Sequence, residues 1–132
     1  MRLAEQANGE IARPVPAEYI WGDALAEIDR RAPDLRVVNL ETAVTSSDDA
    51  MTGKGINYRM HPANIGCLTA ARFDCAVLAN NHVLDWGESG LRETLAALRA
   101  AGIRTAGAGA NAQAAAAPAV LHAGALDVLV FA

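Results

Sequence analysis

The sequence predicts an α/β fold built on a mainly parallel sheet, and three observations predict it. Short apolar runs alternate with helical patterns from residue 35 to residue 105, the order of strand–helix–strand units joined by right-handed crossovers. The runs holding Leu35, Val37 and Val38, and then Cys75–Ala76–Val77–Leu78, are apolar on both sides of the pleat, as in strands covered on two faces. Each run stops abruptly in polar residues: Asn39 and Glu41 after the first, Asn80–Asn81–His82 after the second. Open α/β sheets build their sites at the carboxyl ends of strands.

Taken in order, residues 1–16 are polar and end in Arg13–Pro14–Val15–Pro16, which reads as an extended lead-in because closely spaced prolines suppress helix and strand. Residues 17–31 read as a first helix. Tyr19, Ile20, Leu25 and Ile28 form its apolar stripe with Trp21 beside it, Gly22 is a weak point and Pro33 is the stop. The strand at 35–41 follows; if it persists to its end, Asn39 and Glu41 share a face, since side chains two apart point the same way. Residues 42–56 read as a long loop, a class that is often functional or disordered. Its Gly53–Lys54–Gly55 lacks the spacing of a phosphate-binding loop. Residues 57–60 read as a short edge strand. His61–Pro62 turns the chain into a helix over 63–72, with Ile65, Leu68 and Thr69 inward.

The second buried strand spans 73–78. After the polar loop, 88–101 is the clearest helix, with Leu91, Leu95 and Leu98 at helical spacing and Gly102 as its stop. A short strand at 103–105, a turn at 107–111, an Ala-rich helix at 113–117 and a hairpin over 119–131 complete the pattern. The chain stops inside an apolar run, Val128–Leu129–Val130–Phe131–Ala132, so further C-terminal sequence is expected.

The 132 residues suit one domain, and a composition 52% hydrophobic and 20% charged supports a packed core. A net charge of -4 argues against nucleic acid as a partner. No apolar run approaches the ~20 residues of a membrane span. The residues assign neither envelope nor cytoplasm. Cys67 and Cys75 read as two reduced thiols inside the fold, and Cys75 in a strand interior is poorly placed for a nucleophile.

Glu41 and Asn81 each follow a buried strand, and neighbouring strands lie about 4.8 Å apart, so the two side chains can converge. A carboxylate and an amide carbonyl are hard oxygen donors for Mn or Mg. His82 adds an imidazole able to ligate or to move a proton near neutral pH. Asp85 stands one helical turn further on, where a carboxylate can orient that ring. Structural readings stand beside these. Asn80 and Asn81 can simply shape a turn, Asp85 can cap the next helix, and His82 can be a satisfied loop histidine. His61 and His122 are isolated and read as structural.

Val38–Asn39–Leu40–Glu41–Thr42 and Ala79–Asn80–Asn81–His82–Val83–Leu84–Asp85–Trp86–Gly87 resemble the signatures of the CapA family of bacterial capsule and poly-gamma-glutamate synthesis proteins, relatives of the calcineurin-like metallophosphatases. Tyr19–Ile20–Trp21–Gly22–Asp23–Ala24–Leu25, Thr94–Leu95 with Leu98, and Gly107–Ala108–Gly109 add to the match, which runs over nearly the whole chain. The resemblance implies a metallophosphatase-like α/β/β/α sandwich, of which residues 1–132 would be the N-terminal part. The family's Gly-Asp strand would lie before it and a His-containing motif beyond it.

By the same resemblance, Asn81 and Glu41 would be metal ligands. His82 would be the proton donor, with Asp85 serving it, and Asn39 and Asn80 would support the site. The cofactor would be divalent ions (Mn, Fe, Zn or Mg), two in the complete protein. The implied function is a metal-dependent phosphoesterase-type hydrolase of capsule or poly-gamma-glutamate biosynthesis, acting on an anionic polymer or a phosphoester. The alternative is a non-catalytic capsule-assembly or polymer-binding module on the same fold. With half a site, this stretch alone is expected to be inactive, and half a sandwich would leave core surface open to self-association.

Overall fold

The computed structural model describes residues 2–132 and is α/β. Its central sheet has three parallel strands in the order β1 (Val37–Asn39), β4 (Cys75–Val77) and β5 (Arg104–Ala106). Val37 pairs with Cys75 and Asn39 with Val77, while Cys75 pairs with Arg104 and Val77 with Ala106. A second parallel pair joins β2 (Ala43–Val44) to β3 (Arg59–Met60), and β6 (Ala119–Ala123) with β7 (Leu126–Val130) forms an antiparallel hairpin.

Alternation along β4 divides the core in two. Ala76 and Leu78 face one way and pack with Leu40, Val44, Leu68, Leu98 and Ile103. That layer includes α3 (Gly66–Ala70) and α4 (Gly87–Ala100). Cys75 faces the other way, and with Ala106 it packs on Ala119 and Leu121 of the hairpin. Helices on one face and a second sheet on the other are consistent with part of a metallophosphatase-like sandwich. The hairpin covers β4 and β5 but leaves β1 open. Val37 is 47% exposed, so the expected burial of the first strand on both faces does not hold there.

Several local expectations are corrected. A helix, α1 (Arg2–Asn8), occupies part of the expected extended lead-in, because the prolines constrain only the residues around 13–16. The expected helix over 17–31 is two pieces, a 3-10 turn Ala17–Trp21 and α2 (Ala24–Arg31). Gly22 between them adopts φ 51°, a left-handed angle that ends the first piece. Tyr19 and Ile20 are consequently 49% and 59% exposed rather than part of an inner stripe. Trp21 is the residue that anchors this segment: its indole N–H donates to the Cys67 carbonyl at 2.7 Å and its ring meets Phe73 edge-on at 5.5 Å.

The loop expected over 42–56 begins with β2, and the helix expected over 63–72 is a 3-10 turn Pro62–Asn64 followed by the short α3. His61 caps that turn, its Nδ1 accepting from the Ala63 N–H at 3.1 Å. His122 faces Asp127 across the hairpin at 2.7 Å. Both histidines therefore have structural partners. Cys67 and Cys75 are free thiols, and burial, with Asp74 next to it, pushes the Cys75 thiol up.

Candidate active site

The carboxyl ends of β1 and β4 set the positions of the polar residues. The ladder continues one residue past each strand, with Leu40 N–H donating to Val77 O at 3.0 Å and Leu78 N–H to Ala106 O at 2.9 Å. Glu41 therefore lies beyond the end of β1 instead of within it, and the shared strand face expected for Asn39 and Glu41 does not form. The Asn80 side chain joins the two strand ends. Its amide N–H donates to Asn39 Oδ1 at 3.2 Å and to Leu40 O at 3.1 Å, and its Oδ1 accepts from the His82 N–H at 3.1 Å. Each of its polar atoms is thereby used, and the tight turn into His82 is fixed.

His82 is buried, and its ring is held on three sides. Nδ1 lies 2.6 Å from Asp85 Oδ2. The Tyr58 ring stacks on the imidazole with centroids 4.1 Å apart. Nε2 lies 3.7 Å from Glu41 Oε1, on a side chain that is half exposed. Asp85, His82 and Glu41 thus form a line from the interior to the rim.

Asp85 is completely buried and organises the facing loop. Its main-chain O accepts from the Met51 N–H at 2.8 Å, Oδ2 accepts from the Tyr58 N–H at 2.6 Å, and Oδ1 takes the Lys54 ammonium. Burial pushes the Asp85 carboxyl up, but the hydrogen bonds from Lys54, His82 and the Tyr58 N–H outweigh it and hold the group below the usual carboxylate range. Trp86 locks the same loop: its indole N–H donates to Tyr58 O at 2.9 Å, and its ring lies 4.1 Å beneath the Arg59 guanidinium.

The structure thus brings together Glu41, His82 and Asp85, and separately Asn39 with Asn80. Asn81 is exposed; its main-chain O accepts from Lys54, and its side chain makes no hydrogen bond among the described residues. Asp85 does not cap α4, whose first turn has no side-chain cap. Two participants, Lys54 and Tyr58, were not among the sequence-derived candidates. The available signal was a lysine between two glycines within a long loop, a placement that permits close approach to another loop.

The donor set suits a hard divalent ion in part. Glu41 offers a half-exposed carboxylate and Asn81 an exposed amide, while Asp85 is fully engaged and unavailable as a ligand. No group of three His, Cys, Asp or Glu positioned for a metal occurs among the described residues, so an ion here would draw further donors from elsewhere. A separate cleft of about 680 Å³ lies against Arg99, Ile103, Arg104, Ala114 and Pro118, and no acid, imidazole or thiol lines it.

Fold and site together define an α/β domain with a carboxylate–imidazole–carboxylate line at the sheet's carboxyl rim. The chain belongs to the bacterial capsule synthesis protein PGA_cap family, whose model matches residues 2–132. It is 48% identical over 111 residues to probable polyglutamine synthesis accessory proteins from two Mycobacterium tuberculosis strains, CDC 1551 / Oshkosh and ATCC 25618 / H37Rv. The match covers 84% of this chain and 29% of each of those relatives. None of the described helices is long and apolar enough to cross a membrane.

Proposed function

We propose that this chain contributes part of the centre of a metal-dependent phosphoesterase-type hydrolase that serves capsule or poly-gamma-glutamate synthesis. The observation that supports it most is the His82 ring held between two carboxylates, its Nδ1 2.6 Å from Asp85 Oδ2 and its Nε2 3.7 Å from Glu41 Oε1. In this reading Glu41 and Asn81 hold a divalent ion (Mn, Fe, Zn or Mg), with a second ion held by donors elsewhere in a longer chain. Bound ions would supply an activated water and steady the charge on phosphoryl oxygens.

The chain's own residues do the rest. Asp85 holds the His82 ring in one orientation and stabilises its charged form, as a buried carboxylate does for a catalytic imidazole. His82 delivers a proton from Nε2 to a leaving oxygen. Asn80 keeps the strand ends at fixed separation, and the Tyr58 ring excludes water from one face of the imidazole. The substrate class is an anionic polymer of the envelope or a phosphoester.

The test is metal analysis of a family protein of the relatives' full length, followed by turnover of a generic phosphodiester. Asn81→Ala is expected to lower metal content. His82→Ala is expected to spare metal and slow turnover by about 10²–10⁴-fold, the usual range for a proton-transfer group. Unchanged metal and turnover in both variants would remove the assignment. The relatives' name, probable polyglutamine synthesis accessory protein, favours a second reading, a capsule-assembly or polymer-binding module without chemistry. That reading predicts no metal after Mn supplementation and no turnover.

A further inference from the structure

The cleft of about 680 Å³ runs beside the open edge of the central sheet and has no part in the proposed function. β5 is the outer strand in the order β1, β4, β5. The Arg104 N–H donates to Asp74 O and Ala106 O accepts from the Leu78 N–H, each at 2.9 Å, so residues 104 and 106 bond toward β4. In a parallel ladder the residue between two such residues turns its N–H and C=O the other way. Thr105 therefore presents both groups to the cleft, where no strand of the described residues pairs with them. The far wall is the short helix Ala112–Ala116 and the start of β6.

Two guanidinium groups flank that edge from opposite faces of the sheet. Arg104 shares the face of Ala106, which packs on the hairpin, whereas Arg99 comes from α4 on the other face. Both line the cleft and both are exposed. From Arg13 to Arg92 every arginine, and Lys54 with them, meets a carboxylate. Arg99 and Arg104 meet none among the described residues. No acid lines the cleft, so it is a cationic site on a chain whose net charge is -4.

We propose that this cleft docks an acidic peptide segment of a partner protein, which adds to the β5 edge as an extended strand. Main-chain groups of the segment pair with the N–H and C=O of Thr105, as in other strand additions to an open sheet edge. Successive side chains of a strand point to opposite faces. Glutamates or aspartates at neighbouring positions of the segment thus reach Arg99 and Arg104, one each, through charge-assisted hydrogen bonds. A γ-linked glutamate chain puts a longer spacer between its amides than an α-linked peptide does, and loses that register. The docking does not depend on the hydrolase reading above.

The experiment is fluorescence anisotropy of a labelled, end-capped peptide Val-Thr-Glu-Glu-Thr-Val titrated with the chain at about 0.15 M salt, where loose charge attraction is screened. Saturable binding is expected, and none for the same peptide with Gln-Gln at its centre. Arg99→Gln and Arg104→Gln are each expected to weaken binding by about tenfold, the size of one charge-assisted hydrogen bond. Both side chains are exposed, so both variants should keep the native urea midpoint. Hydrogen exchange reads the ladder itself: the Thr105 amide should exchange several-fold more slowly in the complex. No binding to the folded chain, undiminished binding in the doubly substituted protein, or unchanged Thr105 exchange in the complex would each overturn the proposal. Equal or tighter binding of a γ-linked glutamate oligomer of the same charge would overturn it too, and would assign the two arginines to such a polymer.

Discussion

Asp85 Oδ2 sits 2.6 Å from His82 Nδ1 with no exposure to solvent, three residues along one turn of chain. The same carboxylate receives the Tyr58 N–H and the Lys54 ammonium, so one side chain joins the loop after β4 to the loop before β3. Asp85→Ala leaves a buried N–H and a withdrawn ammonium without their acceptor. The expected loss is about 1–3 kcal/mol of folding stability, read as a lower urea midpoint. Asp85→Asn keeps the shape and removes the charge; a midpoint equal to the native one would show that Lys54 is held by packing and not by Asp85.

Glu93 offers a test in pH. Its Oε2 accepts from Thr45 Oγ1 at 2.7 Å, from the Ser46 N–H at 2.8 Å and from Ser46 Oγ at 3.2 Å, clamping α4 to the chain after β2. The Thr45 hydroxyl, then the Ser46 N–H, hold the Glu93 carboxyl below the usual range, against a smaller opposing effect of burial. A folded-state pKa below the unfolded one contributes stability that is fully present above the unfolded value, about 4.3. That stability is lost as pH falls through the folded value. Thermal midpoints should therefore drop on acidification below about pH 4.3, and Glu93→Gln should drop less over that window while starting lower at pH 7. Parallel curves for the two proteins would assign the acid loss to other carboxylates.

Thr94 tests the inner face of α4. Its buried hydroxyl accepts from the Val44 N–H at 2.9 Å and donates to Gly90 O at 2.7 Å. Val44 is fully buried, so no water can replace that acceptor. Thr94→Val keeps the volume and orphans the N–H, at an expected cost of about 1–3 kcal/mol. Hydrogen exchange checks the mechanism: the Val44 amide should exchange faster relative to the Leu78 amide, which keeps its partner at Ala106.

The features legible in the sequence are those carried by local periodicity. Leu91, Leu95 and Leu98 announce α4, and the apolar run at 75–78 announces the central strand, because each pattern repeats within its own element. The two-residue strands β2 and β3 are too short to show a period, and β1 looked doubly buried although the hairpin stops short of Val37. In the site, His82 and Asp85 could be paired on paper because three residues of turn separate them. Lys54 and Tyr58 reach the same ring from 28 and 24 positions earlier in the numbering, and no spacing rule encodes a contact made by loop closure.

Gly107 couples the third strand to the site. It follows β5 with φ 82°, a left-handed angle unfavourable for residues with a Cβ. A Cβ placed there would lie 2.6 Å from the Ala79 Cβ and 2.9 Å from the Ala79 N, on the residue that leads into Asn80. Gly107→Ala therefore combines a strained backbone angle with overpacking, each costing on the order of 1–3 kcal/mol. Relief by displacing Ala79 would carry Asn80 away from Leu40 O and loosen the turn that sets His82. The variant is expected to lower the thermal midpoint and to shift the Asn80 and His82 amide resonances together. Altered stability with those two resonances in place would show that the strain is absorbed at Ala132, whose Cβ is also 2.9 Å away, rather than at the site loop.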